Sequence, residues 1–281
     1  MTHLLHKTLP CLCLLLVSLS LKAFAAGAPP PPLPAWQALE FEQRAFWATA
    51  QSLVAVTPGP DNDQLWTLTA SSSVVGNSEQ VKLSFVPASG QAMVRSRLSR
   101  GKDQRFKFFD YQDDYIVRER RNPGADPHQP PSEWPVSSRK EIPYPADSAD
   151  IVVTDAYTLL LLADRLQASS EESAEVVVHT EFNFYRVRMT CGNGIPITVD
   201  YQVTGADRVS GKRETRAVAL QISELGDPVD KPDFSLLGLN GDIILFFDRA
   251  SGLPVQVRGN APRIGPTELN LKAVTPREPP A

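Results

Sequence analysis

Apolar and polar residues alternate along most of this chain with the two-residue period of a β-strand. The segment "IPITVDYQV", residues 195–203, shows it plainly, with Ile197, Val199 and Tyr201 on one side and Thr198 and Asp200 on the other. Because successive side chains of a strand point to opposite faces, this pattern predicts a sheet packed on one side and wet on the other. Shorter alternating runs at 65–73, 81–87, 91–101, 104–111, 115–121 and 216–225 extend the prediction. The fold class expected is mainly β, a strongly curved antiparallel sheet or open barrel with one packed helix.

The C-terminal part reads as a three-stranded meander. Strands are predicted at Asp242–Asp248, Leu253–Arg258 and Thr267–Ala273. The loop Asp248–Gly252 has the form of a type I turn closed by a glycine at positive φ, and Gly259–Pro266 is a wider turn. The glycines here need no functional explanation.

Three segments depart from the clear strand pattern or leave it ambiguous. Thr154 as N-cap and the leucines after it predict a helix over Asp155–Gln167. Residues 37–56 suit a helix by composition and a strand by their i, i+2 apolar series, and the strand is preferred. Prolines over Asn122–Pro145 predict a long irregular excursion that carries Trp134. Residues Glu175–Met189 are expected to be strand.

The N-terminal segment of the chain predicts export. Residues 1–25 have the basic start, apolar centre and small cleavage-site residues of a secretory signal peptide. Residues 26–36 form a proline-rich arm, 37–274 a single β-rich domain, and 275–281 a disordered tail. A periplasmic or secreted location is expected, with the protein soluble once the signal is cleaved.

Charge and cysteine content narrow the possible partners. The formal charge is −4, and cleavage would remove Lys7 and Lys22 but no acid, giving −6. That balance argues against nucleic acid and against a general electrostatic grip on anionic lipid. Only Cys191 would remain, so no internal disulfide could hold the fold.

The residue types that carry catalysis are sparse. His128 and His179 lack the spacing of a metal site, and no nucleophile elbow or phosphate-binding loop is present. Asp110, Asp113 and Asp114 cluster at a turn without an EF-hand pattern. Cys191 beside a hairpin turn is expected to be a semi-buried, inert thiol. We therefore expect no enzyme activity, no cofactor and no metal.

Basic and aromatic strand residues are the remaining candidates for a ligand site. The arginines Arg95, Arg97 and Arg118 could bind a phosphate or carboxylate, or could line a solvated strand face paired with acids across the sheet, which is the more common arrangement. Aromatic residues could line an apolar concavity in the mouth of an open barrel. The candidate aromatic ligand-binding residues are Phe106, Phe108, Phe182, Phe184 and Phe246.

Three stretches resemble an exported bacterial family known only as a domain of unknown function. They are the "LPVQVRG" hairpin at 253–259, "SRGKDQRFKFFDYQDDYIVRERR" at 99–121 and "VVTDAYTLLLLADRL" at 152–166. The resemblance covers roughly residues 77–274; "SEWPVSSRKEIPYP" lies outside the family pattern, and Leu245 or Phe246 stands where the family has tryptophan. It implies a curved antiparallel sheet wrapped around one helix, similar in outline to the half-barrels of periplasmic lipoprotein carriers. It implies no known activity.

Two functions are consistent with these features. One is a non-catalytic binding or carrier module for a hydrophobic or anionic envelope component, such as a lipid or an envelope glycan. The other is an accessory or scaffold protein of a cell-envelope assembly that docks on an envelope protein.

Overall fold

The computed structural model describes residues 33–45, 48–59, 65–74, 76–126, 128–227, 231–262 and 264–277. All of them lie within one compact unit that spans Pro31–Ala281. The predicted signal peptide and most of the proline-rich arm lie outside the described residues. In the part of the chain described, no helix has the length and apolar character needed to cross a bilayer.

Strands account for most of the described chain. They are β1 Trp36–Ala45, β2 Ala48–Thr57, β3 Trp66–Val74, β4 Asn77–Phe85, β5 Ala92–Arg100, β6 Arg105–Tyr111, β7 Tyr115–Arg121, β8 Val136–Pro143, β9 Val153–Thr154, β10 Ser173–His179, β11 Phe184–Asn193, β12 Ile197–Val203, β13 Val209–Arg213, β14 Thr215–Leu225, β15 Asn240–Asp248, β16 Pro254–Ala261 and β17 Gly265–Pro276. The α-helix described is α1, Leu159–Ala168.

These strands form one large, curved sheet that does not close on itself. Its order runs β8-β7-β6-β5-β4-β3-β2-β1-β17-β16-β15-β14-β11-β10-β9. The hairpin β12–β13 branches from β17. The predicted fold class is confirmed, with one refinement: the sheet is mixed, because β9–β10 and β12–β17 pair in parallel.

Helix α1 packs in the curve of the sheet. Its side chains Leu159, Leu160 and Leu161 are buried and belong to the same apolar cluster as the strand residues. The helix contacts β11, β14 and β15, while Arg165 Nη1 donates to the carbonyl of Pro87, between β4 and β5. Each fully buried leucine contributes about 2 kcal/mol to the stability of the fold. Because α1 contacts both halves of the sheet, it joins them through one shared core.

The helix was predicted nearly to its bounds, but its cap was not. A 3-10 turn, Ala156–Thr158, precedes α1, and the Asp155 side chain accepts a hydrogen bond from the Tyr157 amide at 2.9 Å. Thr154, the predicted cap, instead donates from Oγ1 to the carbonyl of Gly90 at 2.5 Å. Asp155 thus caps the 3-10 turn that leads into α1, because its carboxylate satisfies a free amide of that turn.

The C-terminal meander and its tight turn agree with prediction. Gly252 has φ 71°, and its amide donates to the carbonyl of Asp248 at 2.8 Å. The Asp248 carboxylate accepts hydrogen bonds from the Ala250 amide and the Ser251 hydroxyl. The wider turn is shorter than expected, since β16 continues through Ala261.

Two other segments differ from prediction. The excursion Asn122–Pro145 is not irregular throughout: it contains a 3-10 turn and then β8, which pairs with β7. Most of its prolines lie outside β8, and Pro143 at the end of the strand is tolerated because β8 lies at the sheet edge, where one side needs no amide donors. Glu175–Met189 is a hairpin rather than one strand, with a turn after His179.

The remaining expectations concern the N-terminal region and the chain end. The described residues within 37–56 are strand, as preferred, but they belong to two strands, since β1 ends at Ala45 and pairs with β2, which begins at Ala48. Strand β17 extends to Pro276, so Thr275 and Pro276 are ordered rather than part of a disordered tail.

Asp164 gives the fold a pH dependence that can be measured. Burial raises the pKa of its carboxyl group to about 6, against the opposing effects of Gln167 and Arg165. Because the folded-state value exceeds the unfolded one, stability from this group increases as pH falls from about 7 to about 4. We expect Asp164→Asn to raise the free energy of unfolding by about 1–3 kcal/mol at pH 7 and to change it little at pH 4. Urea unfolding at the two pH values measures this.

The matched control is Asp207→Asn, which removes the same charge from an exposed turn between β12 and β13. It should leave the pH dependence unchanged. If Asp164→Asn changed the free energy of unfolding equally at both pH values, the raised pKa of Asp164 would be contradicted.

Candidate functional site

Six cations lie on one face of β5–β8 in two adjacent cross-strand rows. In the first row Arg97 is opposite Lys107, and Lys107 is opposite Arg120. The second row runs from Arg95 through Phe109 to Arg118 and on to Lys140. We call this set the basic face; its members are Arg95, Arg97, Lys107, Arg118, Arg120 and Lys140. Like charges directly opposite on neighbouring strands repel, so the arrangement requires counter-ions.

Arg95 is a structural member of the basic face. It is 5% exposed and forms an ion pair with Asp155 at 2.5 Å. The same guanidinium donates to the carbonyls of His179, at 2.9 Å, and Thr180, and it lies 3.9 Å from the centre of the Phe109 ring. Leaving a buried charge without its partner costs about 3–5 kcal/mol. Arg95 therefore ties β5 to the helix start and to the end of β10, and it is not available to a ligand.

Glu181 is the shared counter-ion of the two central cations. Its carboxylate pairs with both Lys107 and Arg118, which are themselves buried. Burial opposes ionisation of Glu181, but the hydrogen bonds and charges of the two cations lower its pKa overall. Burial also lowers the pKa of Lys107, and the like charges of Arg97 and Arg118 add to this against the effect of Glu181. One carboxylate thus neutralises two cations incompletely.

The turn that carries Glu181 is held by Asp233. The Asp233 carboxylate accepts hydrogen bonds from Thr180 Oγ1 at 2.6 Å, Asn183 Nδ2 at 2.8 Å and the Tyr185 hydroxyl at 3.0 Å. The backbone amide of Glu181 also donates to it, at 3.3 Å. This network fixes residues 180–183 over the basic face before any ligand arrives.

Phe182, on the same turn, is the aromatic residue that joins the basic face. It is 44% exposed. The Arg118 guanidinium lies 4.4 Å from its ring centre and the Lys140 ammonium 5.2 Å. Such contacts stabilise cations on aromatic rings by about 0.5–2 kcal/mol. The ring gives the basic face an apolar surface beside its positive charge.

The outer members of the basic face are less enclosed than Arg95, with Lys140 exposed and Arg97 and Arg120 half-buried. Arg97 pairs with Glu79 at 2.5 Å, yet its side chain is 39% exposed. Arg120 and Lys140 have no ion-pair partner among the residues the structure describes, and Arg120 Nε is buried without a hydrogen bond. Across the whole face, six cations meet three carboxylates, those of Glu79, Asp155 and Glu181. The basic face therefore carries an excess of three positive charges.

His179 lies beneath the basic face as a structural residue. It is fully buried, with Nδ1 3.3 Å from the Tyr111 hydroxyl and its ring 4.9 Å from that of Phe184. Burial and the nearby charges of Arg95 and Arg118 lower its pKa well below the usual value. The imidazole is therefore neutral. Among the described residues, no group of three or more potential ligands could hold a metal.

The structure separates the predicted ligand residues into different places. Phe106 and Phe108 are half-buried on the face of β6 opposite to Lys107. Phe184 and Phe246 are buried in the core. Of the predicted aromatics only Phe182 lies with Arg97 and Arg118, and Arg95 is enclosed beneath them. No apolar concavity lined by the five phenylalanines results from this placement.

Other candidates from the sequence are explained by packing. Cys191 is partly buried, and burial raises the pKa of its thiol, which favours the unreactive form. His128 is exposed, and its backbone amide donates to Asp126. Asp110 accepts a hydrogen bond from Gln112 at the β6–β7 turn.

Sequence reasoning missed the acids that organise this site. Glu181 and Asp233 are far apart in the chain and carry no motif. Lys140 was hidden in the proline-rich excursion, although the alternation in "VSSRKEIP" is a signal for an edge strand.

A double-mutant cycle tests the structural role of Arg95. Asp155→Asn should lower the free energy of unfolding by about 3–5 kcal/mol, because Arg95 is left buried without its partner. Adding Arg95→Met should restore part of the loss, so the two effects are not additive. Denaturant unfolding of the single and double variants measures the coupling.

The exposed pair Arg208–Asp200 supplies the control. Asp200→Asn there should change stability little, since exposed ion pairs are screened by solvent. Additive effects at Arg95 and Asp155 would show that the buried pair does not act as a unit.

Comparison with known proteins adds a fold likeness. No protein-family model matches the sequence, and no curated protein matches it. A solved structure described as a beta-barrel-like protein of domain of unknown function DUF1849, from Brucella abortus, is similar over 86% of this chain and 96% of that one, with 8% identity and a TM-score of 0.48. The likeness concerns the fold alone.

Proposed function

We propose that the protein is an exported, non-catalytic binding module that holds an anionic component of the cell envelope on its basic face. The observation that carries this is the pair of adjacent cation rows, six positive charges against three carboxylates. An external anion is the natural counter-ion for the charges that remain.

The geometry of the face favours a ligand with several negative groups. Neighbouring strands are about 4.8 Å apart, and alternate residues along a strand are about 6.6 Å apart. Arg97, Arg120 and Lys140 therefore present a spread of charge rather than one compact pocket. Arginine forks suit phosphate and carboxylate oxygens alike. The shared chemistry is a chain or cluster of such oxygens, carried either by a lipid surface or by an acidic glycan.

A hydrophobic ligand draws less support from the structure than an anionic one. The curve of the sheet is occupied by α1, and Phe184 and Phe246 are part of the packed core. Phe182 remains as the exposed apolar contact. It would pack on the uncharged part of an anionic ligand.

Neighbouring residues of β8 provide a sharp test. Lys140 is on the basic face, whereas Arg139 is on the opposite face, where it pairs with Glu119 at 3.4 Å. Lys140→Gln should weaken binding to polygalacturonate or to phosphatidylglycerol vesicles by about three- to tenfold at low salt. Arg139→Gln, with the same change in net charge, should have little effect. Titration at two salt concentrations measures both, and whichever probe binds identifies the source of the anion.

Equal losses for Lys140→Gln and Arg139→Gln would reduce the effect to net charge and contradict a site. Absence of binding to both probes would contradict the proposal itself.

The sheet edge supports the second function, an accessory or scaffold role in an envelope assembly. In the described chain β8 pairs only with β7, and Val136 at its start is 50% exposed. An unpaired strand edge can accept a strand from a partner. A photo-cross-linking residue at position 136 should then capture one envelope protein in cells, whereas the same residue at Lys82, exposed within the sheet, should not.

A further inference from the structure

A second polar surface lies on the strands far from the basic face. Two cavities, of about 990 and 340 Å³, share the lining residues Arg258, Glu268, Asn270 and Lys272. We call the two together the polar groove. Its floor is β16 and β17, with Glu42 from β1 and Asp242 from β15 at the larger end.

The groove exists because β17 changes partner along its length. Residues 265–270 of β17 pair with β16, and Ala273 and Val274 pair with β12. Strands β12 and β16 therefore diverge from the same edge of β17. The smaller cavity lies in this fork, with Pro196 and Thr198 on the β12 side. A fork between strands is a permanent feature of the backbone, so the groove is present without a ligand.

A hydrogen-bonded chain of side chains makes the floor rigid. Gln256, 3% exposed, accepts from Arg258 Nε at 2.7 Å and donates to Asn270 Oδ1 at 2.8 Å. Arg258 also pairs with Glu268 at 3.5 Å and lies 5.0 Å from the Phe246 ring centre. These contacts fix Arg258 and Asn270 and leave their remaining polar atoms to line the groove.

The lining interleaves donors and acceptors of both charge signs. Carboxylates come from Glu42, Asp200, Asp242 and Glu268, and cations from Arg258 and Lys272. A polyanion would meet the four carboxylates, and a polycation would meet the two cations. Hydroxyl groups donate and accept equally well, so a neutral, hydroxyl-rich ligand is compatible with every lining group.

Apolar residues at the groove ends suit the same class of ligand. Pro266 lines the larger cavity and Pro196 the smaller one, and two exposed isoleucines lie close to them in sequence, Ile264 at 47% and Ile195 at 43% exposure. Sugar rings carry hydroxyls at their edges and apolar C–H groups on their faces, which matches a polar floor with apolar ends. We infer that the polar groove is a binding site for a neutral oligosaccharide, separate from the anion site of the basic face.

Titration of the purified protein with chitohexaose and maltohexaose tests the inference. At least one should bind saturably, with a dissociation constant below about 10 mM. Lys272→Ala and Asn270→Ala should each weaken that binding by about fivefold or more, because each removes a hydrogen-bonding group from the floor. Lys82→Ala, an exposed lysine on β4, is the matched control and should bind normally. Circular dichroism confirms that each variant is folded.

Three results would overturn the inference. They are the absence of binding by either hexasaccharide, equal binding by Lys272→Ala, Asn270→Ala and wild type, or equal binding of an unstructured Gly-Ser peptide of similar length. Lys140→Gln should bind the hexasaccharide as wild type does, so failure of the anion site and failure of the groove are distinguishable.

Discussion

The buried ion pair between Arg95 and Asp155 is the contact on which the arrangement of helix and sheet depends. Hydrophobic burial is roughly proportional to area and has no direction, so it would allow α1 several positions in the curve of the sheet. The pair has a direction. Asp155 caps the 3-10 turn that leads into α1, and Arg95 also satisfies the carbonyls of His179 and Thr180 at the end of β10. Three segments distant in sequence thereby meet at one guanidinium.

A single alternating pattern of basic residues serves two purposes on this face. Close to the helix, Arg95 is enclosed and acts as a structural cross-link. Further out, Lys107 and Arg118 share Glu181, and at the rim Arg120 is half-buried and Lys140 is exposed. Whether a basic residue has a structural role or can bind a ligand depends on how deeply it is buried, not on whether it is arginine or lysine. The buried ion pairs fix the strands and the 180–183 turn, and the more exposed cations are therefore held in place before a ligand binds.

The fold followed from local pattern more completely than the site did. Alternation in "IPITVDYQV" and the turn at Gly252 are encoded by neighbours in sequence, so strands and meander were predictable. The β8 strand was not, because the prolines before it indicate an irregular segment and Pro143 within it fits an edge position, which is a property of the whole sheet. The two-residue alternation of a strand was enough to place Arg95 and Arg97 on the same face of the sheet.

The partners of the basic face depend on register and on turns distant in sequence. Whether Phe108 or Phe109 joins the arginines depends on the β5–β6 register, which pairs Arg95 with Phe109. The position of Glu181 depends on a hairpin turn held by Asp233, about fifty residues later in the chain. No local pattern in the sequence contains that information.

The first and last strands of the domain are neighbours, and this determines the order in which the molecule can be completed. β1 pairs with β17, and the Arg277 side chain donates to the carbonyls of Trp36 and Val56. A chain that emerges from its N-terminus must hold β1 with one edge unpaired until the last strand is free. Such a long-range closure makes folding slow compared with that of local hairpins. A fragment stalled before Gly265 would keep that edge open to other chains, so truncation near the C-terminus leads toward aggregation rather than a smaller domain.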